Sequence, residues 1–159
     1  MKQIFAQAAL ALLLAAGGSL VCAAQTGTKP PPAKPETAVS GKQAAVKNSP
    51  AYAEVLLRKT EVEAELEDLL VEYTEEYPKV RETRHELGLL SRELEKLVAL
   101  NPNDAGKLTL ALGKLIVRKA QLETDLWVLL LQYNEAHDDV KRAKRKVATF
   151  EKAIKEILP

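Results

Sequence analysis

The chain has 159 residues with 23 basic and 22 acidic side chains, a net charge of +1, so no global field recruits nucleic acid or an anionic surface. Its one cysteine, Cys22, lies in the N-terminal apolar segment, which excludes disulfides and thiol catalysis from everything beyond it. Aromatic residues are only 4% of the chain while Leu, Ala, Glu, Lys and Val abound, the composition of an all-α fold built from long helices.

In chain order, residues 1–24 read as a bacterial secretory signal: Lys2 supplies the positive start, Ile4–Ala16 the apolar stretch, and Gly17-Gly18 a break before small residues. Cleavage would leave Ala24 or Gln25 first and place the protein in the periplasm or outside the cell. A lipoprotein reading of Cys22 fits less well because Val21 is bulky where a small residue is wanted. An uncleaved anchor is the other alternative, since about 20 residues can just span a bilayer. Residues 25–50 carry Pro30-Pro31-Pro32 and Pro35 among Lys, Thr and Ala, with too little apolar surface to offset ordering. They read as a disordered, partly polyproline tether.

Ser49-Pro50 opens the folded part, with Ser as a cap and Pro at the first helical position. From Tyr52 to Leu97 apolar residues recur at alternating steps of three and four, interrupted only by Lys59, Glu76 and Thr83. This is a seven-residue seam. Asn101-Pro102-Asn103-Asp104 ends it, with Asn103 or Asp104 as the next cap, and the seam resumes from Leu108 to Ile157 with Lys119 as its one polar member. The two runs are copies, about 51–100 and 107–159, at an offset of 60 residues: Arg58 matches Arg118, Lys59 Lys119, Glu63 Glu123, Leu66 Leu126 and Tyr73 Tyr133.

Because the seam keeps its phase through Pro78, and no Gly or Pro follows Lys114 until the end, the spacing predicts a long antiparallel two-helix coiled-coil hairpin. The alternative is a four-helix bundle of two tandem hairpins. Residues 51–100 hold 13 acids against 7 bases and 101–159 hold 8 against 11, so the halves look matched in sign. In the long hairpin Glu61, Glu63 and Glu65 would lie opposite Lys141–Lys146, Arg81 opposite Asp125, and Tyr73 opposite Tyr133. Leu126, Trp127, Val128, Leu129, Leu130 and Leu131 are apolar all the way round a helix, which predicts a covered girdle. A homo-oligomer, with a dimer favoured, or another protein would cover it. The expected interaction surface is Tyr73, Tyr77, Leu126, Trp127, Val128, Leu130, Leu131 and Tyr133.

Chemistry-bearing patterns are sparse. Glu82-Thr83-Arg84-His85 has the Glu-x-x-His spacing of a di-metal carboxylate site but no second copy, and His137-Asp138-Asp139 lacks further ligands. Ser91 and His85 have no anion-binding loop beside them, so neither an enzyme nor a cofactor or metal is expected. Lys141–Lys146 reads as a solvated helix face and not as a nucleic-acid patch. The Leu–Trp run, six residues long, cannot span a membrane, which leaves peripheral membrane contact as a lesser option and no integral span once the signal is removed.

The two centre motifs, Tyr73-Thr74-Glu75-Glu76-Tyr77-Pro78-Lys79-Val80 and Tyr133-Asn134-Glu135-Ala136-His137-Asp138-Asp139-Val140, resemble the Tyr-Thr-x-x-His-Pro-x-Val pattern of the periplasmic coiled coils of polysaccharide chain-length determinant and exopolysaccharide transport proteins. That resemblance implies an extracytoplasmic helical-hairpin segment and carries over no functional residue. The combined expectation is an exported, non-enzymatic scaffold, spacer or protein-interaction module. A holdase-like periplasmic chaperone, or an accessory protein of polysaccharide export, is the alternative.

Overall fold

The computed structural model describes residues 44–158, and all of these that are regular are helical. The signal and most of the tether lie outside the described residues. Four helices follow one another: α1 (Pro50–Glu72), α2 (Pro78–Ala99), α3 (Leu110–Gln132) and α4 (Asp138–Ile157), with a 3-10 helix, Pro102–Lys107, between the middle two. The folded part starts before Pro50. Residues 44–47 are helical and Val46 is buried in the core, so the tether expected to reach residue 50 ends earlier.

Local chemistry accounts for most boundaries. The Ser49 hydroxyl accepts from the Tyr52 amide at 3.3 Å with Pro50 behind it, as the sequence predicts. At the chain's midpoint Asn101 caps the 3-10 turn by accepting from the Asn103 amide at 3.1 Å. Neither Asn103 nor Asp104 caps the next helix. Thr109 does, accepting from Leu112 N–H at 3.3 Å, because the 3-10 turn occupies the residues in between.

The expectation of two unbroken helices fails at Tyr73–Tyr77 and again at Tyr133–His137. Tyr73 and Tyr133 are extended, at φ −122°, ψ 154° and φ −126°, ψ 151°, and each donates its amide to the carbonyl four residues back, Leu69 or Leu129, at 2.8 Å. The chain then closes a turn, Tyr77 N–H to Thr74 O at 3.0 Å and His137 N–H to Asn134 O at 3.1 Å, and a new helix begins. A helix continued through Pro78 would lose a hydrogen bond and cost about 3 kcal/mol. At the first position of α2 the same proline costs nothing, and Tyr77 at ψ 132° has the extended backbone that a following proline demands. The second copy starts α4 without proline. Asp138 and Asp139 sit in the first turn, where they favour the positive end of the helix dipole, and His137 Nδ1 accepts from the Asp139 amide at 3.2 Å. The unbroken phase of the seam misleads here, because its members inside the turns, Tyr73 and Glu76, Tyr133 and Ala136, are exposed and face no core.

Consequently α1 packs on α2 and α4 on α3, and α3 also packs on α1 and α2. Arg58 reaches Glu86 at 2.9 Å and Lys79 reaches Glu65 at 3.4 Å, so α1 and α2 are antiparallel. Lys119 to Glu93 at 3.0 Å, and Trp127 stacked on His85, make α2 and α3 antiparallel too. The ion pairs expected between Glu61–Glu65 and Lys141–Lys146 are not formed. Glu61 pairs with Arg58, Glu63 with Lys59 and Glu65 with Lys79, all satisfied within the first hairpin.

The core runs through Val46, Val55, Val62, Leu90, Leu94, Leu108, Leu112 and Ile116, with Ile154, Ile157 and Leu158 of the chain end laid against it. At Gly113 the α1 backbone comes so close that a Cβ would stand 2.9 Å from Ala51 Cα, and the Ala51 amide donates to Leu108 O at 3.1 Å. Helix α3 has three neighbours. That explains its all-round apolar sequence: Ile116, Ala120, Leu122 and Thr124 are buried on different sides, and Leu126, Trp127, Val128 and Leu129 are half-buried within the chain itself. The girdle is thus largely covered intramolecularly, and only Leu130 and Leu131 of it are exposed.

Candidate interaction surface

With α1 and α2 antiparallel, and α2 and α3 antiparallel, α1 and α3 run the same way. Both turns therefore emerge at the same end of the helical unit. Each turn is built from the same parts. Tyr73 stacks on Tyr77 with ring centres 4.1 Å apart, and Tyr133 on His137 at 4.2 Å. Such stacks contribute about 0.5–1.5 kcal/mol beyond area, enough to hold a five-residue turn that has little else to pack on. Glu75 pairs with Arg84, and its counterpart Glu135 with Lys144 at 3.1 Å, so in both copies an acid in the turn ties down a base on the helix that follows. Val80 and Val140 anchor the turns from below, each 0% exposed.

Above these anchors large apolar side chains stand exposed among polar ones. Tyr73, Tyr77 and Tyr133 are each about 40% exposed, Leu131 is 55% and Val71 85%. Of the eight expected surface residues, Tyr73, Tyr77, Leu130, Leu131 and Tyr133 are exposed near the turns, while Leu126, Trp127 and Val128 are half-buried on α3. Tyr73 and Tyr133 each stack within their own turn and not on one another. Pro78, Arg81 and Glu82 of α2 form a groove with Trp127, Val128 and Leu131 of α3, so the base of the first turn and the top of α3 share one wall.

Trp127 is covered by two side chains the sequence did not connect to it. His85 stacks on the indole at 4.6 Å and 10°, and the Arg81 guanidinium lies 5.9 Å from the ring centre. Burial, followed by the charge of Arg92, pushes the His85 imidazole below its ordinary value against a smaller opposing pull from Glu123. A second site with shifted groups is the Glu93–Lys119 pair between α2 and α3. Burial alone would raise the Glu93 carboxyl, but hydrogen bonds from Lys96 and Lys119 outweigh it and hold the group low. Burial likewise disfavours the Lys119 ammonium, yet Glu93 and Glu123 raise it.

The spaced acid and histidine patterns are committed to structural work. Glu82 pairs with Lys79, Thr83 is buried, and His137 caps α4. Among the described residues no three His, Cys, Asp or Glu side chains are grouped to hold a metal ion, and no helix is long and apolar enough to cross a membrane. The sequence reading left Val71 out of the expected surface, and it missed that Glu75, Glu135, Val80 and Val140 form a repeated turn. The signal was present, since Glu75–Glu135 and Val80–Val140 are two identical pairs at the 60-residue offset. Comparison of the chain with family models, with curated proteins and with solved structures finds no match in any of the three.

Proposed function

We propose that the chain is an exported, non-enzymatic scaffold or interaction module of the periplasm or cell surface. Its two hairpins close into one four-helix unit, and the proline-rich stretch before it serves as a spacer. The observation that carries this reading is the duplicated turn. Two different local chemistries, proline in one copy and a capped Asp pair in the other, build the same aromatic turn at the same end, and both leave apolar side chains facing outward. An end patterned twice in one way suits contact with another protein. A reading as an accessory of polysaccharide export draws on a single further observation: the eight-residue motif resembling that family's coiled coils is, in both copies, this hairpin turn.

The test is to express the full chain in a bacterium, fractionate the cells, and purify the protein as the cell leaves it. The scaffold reading expects recovery outside the cytoplasm and no effect on the heat-induced aggregation of a model client. Cytoplasmic recovery overturns export. Suppression of client aggregation replaces the scaffold with the holdase.

A further inference from the structure

Helix α1 turns Ala51, Val55 and Val62 inward. On its other side Ala53, Leu57, Ala64 and Val71 are all exposed, at a spacing that would be a second seam if something covered it. Acids run along this side, and Glu61, Glu65, Asp68 and Glu72 line an open groove whose floor includes Ala64 and Leu69. Helix α4 is its electrostatic opposite. Lys141, Arg145, Lys152 and Lys155 recur on its exposed side with Ala148 among them, and of these only Lys141 has an ion pair among the described residues, a long one of 3.5 Å to Asp138. Within the chain α1 and α4 are not packed on each other.

We infer that the acidic outer face of α1 docks on the basic outer face of α4 in a second copy of this chain, the two helices antiparallel. The inference deepens the interaction-module reading and rests on it. Charge selects the occupant. Two α1 faces brought together would set carboxylates against carboxylates, whereas α4 supplies bases whose aliphatic stems can cover Leu57 and Val71 while their charged ends reach the acids. The positions also select the direction. Counting back from Glu72, Asp68 and Glu61 stand four and eleven residues away, and counting forward from Lys141, Arg145 and Lys152 stand at the same steps. Run antiparallel, these make three acid–base pairs, in which Glu61 shares its carboxylate between Arg58 and the incoming Lys152, while Glu65, held by Lys79, faces Ala148, whose small side chain lets the helices approach. Both charge sets begin beside the turns, so matching them puts the turns of both copies at one end. With Glu72 opposite Lys141 the two helices overlap over residues 56–72 and 141–157, about 25 Å.

The experiment is light scattering and sedimentation on the full chain, exported and purified, over the micromolar range and at two salt concentrations. One variant carries Asp68→Lys with Glu72→Lys, the other Arg145→Glu with Lys152→Glu. Circular dichroism confirms that both are folded. The wild-type chain is expected to self-associate less in high salt, each variant to associate about tenfold more weakly or worse, and an equimolar mixture of the two to regain association, because reversed α1 then meets reversed α4. A wild-type mass that stays at one chain overturns the inference, as do variants that associate like wild type or a mixture that stays apart. None of these results touches the export and aggregation test of the underlying reading.

Discussion

Alanine in place of Gly113 makes the sharpest test of how the hairpins are joined. Its Cβ would stand 2.8 Å from Glu54 Cβ, 2.9 Å from Ala51 Cα and 3.0 Å from Ala51 O. Carbon atoms pack best at about 3.5–4.0 Å, and two of the three obstacles are backbone that cannot rotate aside. Helix α1 must therefore move away, and overpacking of this kind costs about 1–3 kcal/mol, here at the upper end. The shift also strains the Ala51 amide to Leu108 carbonyl bond, which contributes about 1 kcal/mol. Alanine's better helix propensity returns at most about 1 kcal/mol. The net expectation is a loss of about 2–3 kcal/mol. Gly88→Ala is the internal control, because its Cβ meets only the flexible Arg92 guanidinium at 3.7 Å and should gain up to about 1 kcal/mol. Urea unfolding followed by far-ultraviolet circular dichroism measures both, and the m-value should not change. If both substitutions stabilise alike, α1 and α3 do not meet at Gly113 and the joining of the hairpins described above is wrong.

The break before α4 is tested by Asp138→Pro. At a first helical position, after His137 at ψ 140°, stability should change by less than about 1 kcal/mol, whereas a continuous helix would lose about 3 kcal/mol or more. Thr83 is 2% exposed and its hydroxyl has no partner among the described residues, so Thr83→Val should stabilise by about 1 kcal/mol in the same urea experiment, and a loss instead would mean that the hydroxyl is bonded. For His85 the folded-state pKa is depressed, so the unfolded chain binds the proton more readily and stability falls with acidification. The contribution is complete above the ordinary value of 6.5 and is lost as pH drops through the lower folded value. Trp127 fluorescence should report the same step, and His85→Gln should remove it from both the fluorescence and the stability profiles. A step that persists in that variant would assign it elsewhere.

Much of this molecule could be read from its residues alone. The all-helical class, the duplication, the Ser49-Pro50 cap of α1 and the interruption at Asn101-Pro102 all follow from period, composition and capping chemistry, which act within a few residues and so are written locally. Tyr73, Tyr77, Leu131 and Tyr133 were singled out because they belong to the copied stretch and its apolar girdle, and all four are exposed.

Where the chain reverses was decided by packing. A seven-residue period states that one side of each helix is covered but not by which partner, and the same spacing through Tyr73–Val80 fits a continuous rod or a reversal equally well. The reversal wins because it places Pro78 where its missing amide costs nothing and because it gives α3 three neighbours for its apolar sides, which a two-helix rod with a single seam cannot supply. The same step settled what the charges do: Glu61 and Glu65 found Arg58 and Lys79 within the first hairpin, and α1 and α4 were left unpacked on each other. Periodicity and capping are properties of neighbours in sequence. The choice of partner is a comparison between whole arrangements of the chain, and only the folded structure carries it out.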